Sequence, residues 1–445
     1  MSADRRYGIS QDQVGVRDTP MSSPLPSGVP SRRLRVVVFT TVFPNTSQPL
    51  HGTFVFERIR HLAALADIQV VAPIPWFRAF RAQALQTQAD PIIAIRHPRF
   101  WYIPKLLKYF RGVFLFISTV REITRLRAAF DFDLIDAHFV YPDGFAAVLL
   151  GFWFRRPTCI TLRGTIVQWS KHRIGRWLCD WTMRHAERVI AVAESLAARA
   201  REGGIPEHRV ATIPNGVDTT RFQLMDCAAA RSSLGLPEPG RLLVSVGHIS
   251  PRKGFHRVIR SLPGVLQSRP DVRLAIVGGK GAEEDNRGAL NALARQLGLS
   301  EKVLFVGAQT PDQVALWLAA ADVFVLASDY EGCPNVVLEA MACGRPVVAT
   351  KVGDIERMVP TFAGILFDDP GDEVELAEAL IAALTREWDA QRIREHLATR
   401  SWDDVARRVM VQWLLALESF GARASGAAVP SPKDDLRVRI SRRER

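Results

Sequence analysis

Residues 327–350 read ASDYEGCPNVVLEAMACGRPVVAT, and the fold can be reasoned outward from them. Just before them lies a short apolar run, 323–326, with the length and composition of a strand buried on both faces. The run opens into a loop holding Glu331 and Gly332. A helix begins near Pro334, a residue suited to a first helical turn, and Gly344 ends it. Pro346 then leads into another β-branched run at 346–349. Strand, helix and strand in this order form a βαβ unit, which implies parallel strands with helices on both faces.

The same rhythm continues in both directions. Buried strands are expected at 242–246, 273–277, 303–306 and 364–367, and an earlier set at 34–40, 68–72, 134–137, 158–161, 188–192 and 210–213. A helical pattern covers 58–66 in the first set, and another runs from 375 through 402–420. Between the sets stands IPNGVD at 213–218, where Pro214, Asn215 and Gly216 break any regular element. The expected fold class is therefore α/β, with two doubly wound parallel-sheet domains of the Rossmann-like type facing across a cleft. The expected divisions are a disordered leader over 1–31, an N-terminal domain over 32–214 and a C-terminal domain over 215–400. A helix at 401–420 would cross back to the N-terminal domain, ahead of a disordered tail over 421–445. Ligands of open α/β sheets bind beyond the carboxyl ends of the strands, so chemistry belongs in the loops leaving them.

A chain of 445 residues, 47% hydrophobic and 23% charged, is ordinary globular material. Its five cysteines are scattered and form no CxxC pair, which excludes a disulfide framework or zinc ribbon and fits a reducing cytoplasm. The first thirty residues lack the apolar core of a secretory signal. The longest apolar runs, 112–117 and 145–154, fall short of the roughly 20 residues that span a bilayer. Charge is uneven: 32–214 holds 26 Lys and Arg against 13 Asp and Glu, whereas 215–445 holds 29 against 30. The excess concentrates in 96–127, where eight cations face the single acid Glu122 among interleaved aromatics. That pattern fits a helix on the cytoplasmic membrane surface, or equally an amphipathic helix whose apolar side is core. No nucleic-acid-binding module accompanies it.

The amides of a first helical turn, with the helix dipole behind them, make a ready diphosphate site near Pro334, Asn335 and Val336. Glu331 stands just outside that end. Glu339 lies about five residues inside, roughly 7.5 Å along the axis. Each alone reads as a solvated charge; together with the helix end they read as two hydroxyl-binding carboxylates flanking a diphosphate. A second stretch, VSVGHISPRKGFHRVI at 244–259, sends a strand into a loop with His248, Arg252 and Lys253, and a helix opens at Gly254. Two cations at a helix start oppose its dipole and need an anionic partner. In the first half, Gly52 sits at the turn of VFPNTSQPLHGTFVFERIRHL, His138 follows a strand in DAHFVYPDG, and Arg163 and Gly164 end another in TLRGT.

Glu331 and Glu339 in this frame resemble the Glu-x7-Glu signature of retaining glycosyltransferase family 4, whose fold is GT-B, and the resemblance spans 35–420. It implies a nucleotide-diphosphate sugar as donor, with Glu331 on the sugar, Glu339 on the ribose, and Arg252 and Lys253 on the diphosphate. Gly52 resembles the glycine segment that approaches the donor, and His138 a histidine beside the transferred sugar. The implied catalytic set is Glu331, His138 and Lys253, with tentative acceptor contacts at Arg163 and Gly164. The family commonly has Arg where His248 stands, which shifts the phosphate grip toward Arg252. FPN and HGTFV resemble the branch of teichuronic acid and other surface-polysaccharide enzymes; that branch often has Asp where Ile166 stands. The implied acceptor is a polyprenyl-diphosphate-linked glycan, used by an enzyme peripheral to the inner face of the cytoplasmic membrane. No metal or other cofactor is expected.

Asp131 and Asp133 imitate the DxD of metal-dependent transferases but precede a strand. Gly278, Gly279, Lys280 and Gly281 lack P-loop spacing. A GT-B epimerase, a phosphorylase or a noncatalytic binding subunit remain alternatives. A dinucleotide oxidoreductase is disfavoured, since no GxGxxG follows the first strand.

Overall fold

The computed structural model describes residues 32–425, apart from 46–47, 80–92, 103–106, 237–239, 280–285 and 370. The expected leader over 1–31, the cation Lys105, the glycine Gly281 with Lys280, and the tail beyond 425 lie outside the described residues.

The strands are β1 Arg35–Phe39, β2 Asp67–Val71, β3 Ile74–Pro75, β4 Ala94–Arg96, β5 Arg99–Phe100, β6 Leu134–His138, β7 Thr158–Leu162, β8 Arg188–Ala191 and β9 Val210–Thr212. They continue with β10 Arg241–Val246, β11 Val272–Val277, β12 Val303–Gly307, β13 Val323–Leu326, β14 Val347–Thr350 and β15 Gly364–Phe367. One parallel sheet runs β4-β2-β1-β6-β7-β8-β9, another β12-β11-β10-β13-β14-β15, and β3 pairs β5. Every strand expected from the sequence is present to within one residue at each end. The reason is burial on both faces, complete along β6, β7, β8, β13 and β14, which forces unbroken apolar runs. The short pieces β3, β4 and β5 carry no such run and were not foreseen.

Three helical expectations need correction. The first helix spans Thr53–Ala63 rather than 58–66, because Gly52, with φ 77°, takes the left-handed turn that opens it. The pattern from 375 onward is three helices, Glu373–Thr385, Ala390–Glu395 and Trp402–Ala424. Asp372, Asp389 and Ser401 each accept a hydrogen bond from a first-turn amide, so side-chain capping restarts the helix each time. The last helix also runs on through Gly421 to Ala424, four residues beyond the expected 420.

Trp402, Val405, Val409 and Trp413 of that helix pack into one core with Val36, Ile59 and Ile190, so it lies on the N-terminal sheet. The chain therefore crosses between domains twice, and the crossings touch. Val217 N–H donates to the Arg400 carbonyl at 3.0 Å, and a Cβ on Gly216 would lie 2.8 Å from the Trp402 backbone. With its sheets joined side by side in this way, the molecule presents the carboxyl ends of both to a common cleft of about 660 Å³.

Candidate active site

The C-terminal wall grows from two neighbouring strands, β10 and β13, paired through Leu243 and Val323. After β10 the chain makes a short 3-10 turn, Pro251–Lys253, and then Gly254 with φ 68°. A Cβ at Gly254 would fall 1.8 Å from the Ala327 carbonyl oxygen, so only glycine lets this loop lie on the loop after β13. Asp329 N–H donates to the Arg252 carbonyl at 2.9 Å, and Arg257 holds the Ala327 carbonyl at 2.9 Å and pairs with Asp329. Local packing thus delivers three charges to one point. Lys253 Nζ lies 2.6 Å and Arg252 3.4 Å from the same Glu331 oxygen, while Arg252 also bonds the Tyr330 carbonyl and covers its ring at 5.0 Å. Burial alone pushes the Glu331 carboxyl up, and Lys253 and Arg252 more than offset it, leaving it below the usual carboxylate value.

The helix Asn335–Ala342 starts beside this cluster with Pro334 at its N-cap, and no side chain among the described residues caps it. Asn335 and Val336 line the cleft, so the positive end of the dipole faces it. Glu339 lines the cleft further in, where burial pushes its carboxyl up to about 7, with Glu57 adding and Arg221 opposing. Arg221 is a bridge between domains, 3.4 Å from Glu57 and 2.9 Å from Asp312.

The N-terminal wall is of another kind. Asp143 accepts from the Thr41 amide at 2.7 Å and its hydroxyl at 2.9 Å, which sets the loop that brings Leu50, Thr53 and Phe54 to the cleft. Phe139 takes φ 71°, costing about 1–3 kcal/mol for a non-glycine residue, and its ring lines the cleft. Arg163 stacks under Phe54 at 4.4 Å, with Phe139 at 6.0 Å. It donates to Asn215 at 3.2 Å and meets His138 Nδ1 at 3.2 Å, and burial lowers its pKa to about 9. Asn215 in turn donates to Asn335 at 2.7 Å, which ties this wall to the start of the Asn335–Ala342 helix.

Of the residues singled out in the sequence, Glu331, Glu339, Arg252, Lys253, His248, Pro334, Asn335, Val336, Arg163 and Gly164 line one cleft. Gly164 faces Gly332 directly, a Cβ on it lying 3.8 Å from the Gly332 amide. Two residues do not line it. Gly52 is buried behind its neighbours, where a Cβ would lie 2.5 Å from the Val42 carbonyl; its part is the turn. His138 is fully buried behind Arg163 and Phe139, 3.5 Å from Asp136, and burial lowers its pKa to about 4, so its ring is neutral. Asp131 and Asp133 sit at the far end of β6, held by Arg156 and Arg32. Gly278 and Gly279 do line the cleft. Sequence reasoning missed Phe54, Phe139, Trp169, Asn215 and Arg221. Asn215 stood in plain view as a chain breaker, but no spacing announces a side chain that bridges Arg163 and Asn335.

Two parallel-sheet domains facing across a cleft of strand ends define a GT-B protein, and solved structures agree. Sucrose-phosphate synthase from Thermosynechococcus elongatus superposes with a TM-score of 0.71 at 21% identity, over 88% of this chain and 100% of that one. HepE of Anabaena, solved with UDP and glucose, gives 0.63 at 20% identity over 88% and 100%. The model of glycosyl transferases group 1 matches residues 227–400, and that of glycosyltransferase family 4 matches 51–221. The chain thus carries a glycosyltransferase family 4 domain followed by a glycosyl transferases group 1 domain. The putative teichuronic acid biosynthesis glycosyltransferase TuaC of Bacillus subtilis is 28% identical over 396 residues, 85% of this chain and 95% of that one. D-inositol 3-phosphate glycosyltransferase 2 of Catenulispora acidiphila is 35% identical over 255 residues, 55% of this chain but only 59% of its own length.

Proposed function

We propose that this chain transfers a hexosyl group, with retention of configuration, from a nucleoside-diphosphate sugar to a polyprenyl-diphosphate-linked glycan in cell-surface polysaccharide synthesis. The observation that carries the reading is the Glu331 carboxylate, held by Lys253 and Arg252 beside the uncapped start of the Asn335–Ala342 helix. Such a constellation suits a sugar joined to a diphosphate. The helix amides and the two cations take the phosphate oxygens, Glu331 takes sugar hydroxyls, and Glu339 takes the ribose hydroxyl pair.

In the reaction the bond from the anomeric carbon to the phosphate oxygen breaks while the acceptor oxygen bonds to the same face of that carbon. The acceptor proton passes to the departing diphosphate, so both electrons and proton are accounted for without a protein base. Charge grows on the leaving oxygen, and fixed cations stabilise that charge more than the ground state. Lys253, Arg252 and the helix end fill this role, so the scheme needs no metal ion. Arg163 and Gly164, with Phe54 and Phe139, would form the acceptor side, and His138 acts by holding Arg163 in place. TuaC and its teichuronic acid name support the acceptor class.

The test is release of nucleoside diphosphate from a panel of nucleotide sugars, with and without a lipid-linked acceptor, in the presence of a chelator. Acceptor-dependent release that survives chelation is the expected result. Isomerised donor with no release would mean an epimerase instead.

A further inference from the structure

Because the strands of the N-terminal sheet end at the cleft, helices running back along the sheet begin there. Three segments meet at that edge around Trp169, itself a wall of the cleft: the turn Lys108–Phe110, the short helix Thr165–Ser170, and the start of helix Arg173–His185. Tyr109 and Tyr141 contact the Trp169 ring at 6.1 and 4.6 Å. The Tyr141 hydroxyl donates to the Tyr109 carbonyl at 2.6 Å and accepts from the Gly112 amide at 3.1 Å. A Cβ on Gly175 would lie 2.3 Å from the Trp169 carbonyl, so glycine lets the helix press against the loop. These contacts make a firm rim.

Outward, the rim shows a mixture that a merely solvated face would not. Residues 171–177 read KHRIGRW, with Ile174 53% and Trp177 58% exposed. Phe110 at 58% and Val167 at 38% stand beside them, among the exposed cations Lys108, Lys171, Arg173 and Arg176. Stretches 107–121 and 163–179 contain no Asp or Glu, and the next acid, Asp180, is engaged by Arg199 at 2.7 Å. Elsewhere in the basic stretch 96–127 the cations are placed differently. Helix Arg111–Ala129 turns Leu115, Ile123 and Leu126 into the core, Arg96 and Arg125 share Glu122, and Arg111 lies over Tyr102 at 4.8 Å.

Single exposed apolar residues need no explanation, but four interleaved with unopposed cations do. The core of a protein interface is depleted in charge, whereas here cation and apolar side chain alternate in the order Arg173, Ile174, Arg176, Trp177. That alternation matches a lipid headgroup layer, with Trp at headgroup depth and cations on phosphates. We propose that the rim formed by Lys108–Phe110 and residues 167–177 seats the mouth of the cleft on an anionic membrane. The proposal rests on the lipid-linked acceptor reading and deepens it, narrowing the membrane contact within 96–127 to Lys108–Phe110 and adding residues 167–177. An acceptor confined to the bilayer then meets the cleft at Trp169 and Lys171 without leaving the lipid.

The full chain should co-sediment with vesicles containing phosphatidylglycerol, release in high salt, and ignore vesicles of phosphatidylcholine alone. Arg173→Gln with Arg176→Gln should weaken partitioning about 25-fold, at about fivefold per cation, and Ile174→Ser with Trp177→Ser at least as much. Arg96→Gln with Arg125→Gln should bind as wild type. Melting temperature and donor hydrolysis should be unchanged in all three, which separates lost docking from lost folding. Wild-type partitioning by both rim variants would overturn the proposal, as would failure of the unaltered chain to bind anionic vesicles. A rim variant that changed only oligomeric state would make the face a contact between copies and overturn it too. If vesicle binding behaves as expected while no nucleotide sugar is turned over, the transfer reading fails and the membrane surface stands.

Discussion

The two walls of the cleft are built on opposite plans. The C-terminal wall gathers Glu331, Lys253 and Arg252 in loops leaving two hydrogen-bonded strands, beside a helix start that carries Glu339. The N-terminal wall offers Phe54, Phe139, Trp169 and Gly164 from loops after β1, β6 and β7, and draws its polar members Arg163 and His138 inward. Fixed charge has to be positioned before the reaction to stabilise a developing charge cheaply, and adjacent strand ends position it. Shape and exclusion of water ask less of any one residue and can be assembled from distant loops. Charge work thus falls to one wall and shape work to the other.

The largest way to break this comparison is Glu331→Gln, which keeps volume and removes charge. Turnover should fall about 10²- to 10³-fold with donor KM changed far less. A smaller effect is expected at Glu339→Gln, where loss of a charged acceptor should raise donor KM about 10- to 100-fold and spare turnover. Glu339 also sharpens the comparison through pH. Its carboxyl, pushed up to about 7 by burial, is protonated at lower pH and then offers the ribose hydroxyls a neutral acceptor in place of a charged one. Donor affinity should therefore fall as pH drops below about 7 and level off above it, and Glu339→Gln should flatten that profile.

On the shape-forming wall, Trp169→Ala should raise acceptor KM about fivefold while leaving donor hydrolysis unchanged, the loss of one aromatic contact. The smallest expected effect is at the seam. Asn215→Ala removes the bridge from Arg163 to Asn335 and should lower turnover about threefold, read as kcat against an unchanged donor KM. A larger effect on the N-terminal wall than at Glu331 would reverse the division of labour.

The same contrast governs what could be read from the sequence. Parallel strands buried on both faces leave continuous apolar runs, so β6, β8 and β13 were visible from composition. The C-terminal wall was visible because Glu331, Pro334, Asn335 and Glu339 sit within one loop and one helix, and local spacing reports their geometry. The N-terminal wall brings Phe54, Phe139 and Trp169 together over more than a hundred residues of chain, and no local pattern marks that meeting. His138 ends its strand as expected, yet tertiary packing of Phe139 and Arg163 over it decided its burial. Basic residues at 96–127 stand out by their number and their interleaved aromatics, whereas KHRIGRW stands out only once Leu178 and Cys179 are seen to face inward. Where helices restarted after 385 and 395, the capping residues Asp389 and Ser401 were legible but were outweighed by the continuing apolar period.

Nucleoside diphosphate binding by calorimetry, compared among the unaltered chain, Glu331→Gln and Lys253→Ala, tests the central claim most directly. Lys253 is paired with Glu331 at 2.6 Å, and the claim is that the diphosphate takes over this cation. Lys253→Ala should weaken binding at least about tenfold, consistent with losing a charge-assisted contact, while Glu331→Gln should bind as well or better yet fail to transfer sugar. Undiminished binding by Lys253→Ala, or undiminished transfer by Glu331→Gln, would contradict the account.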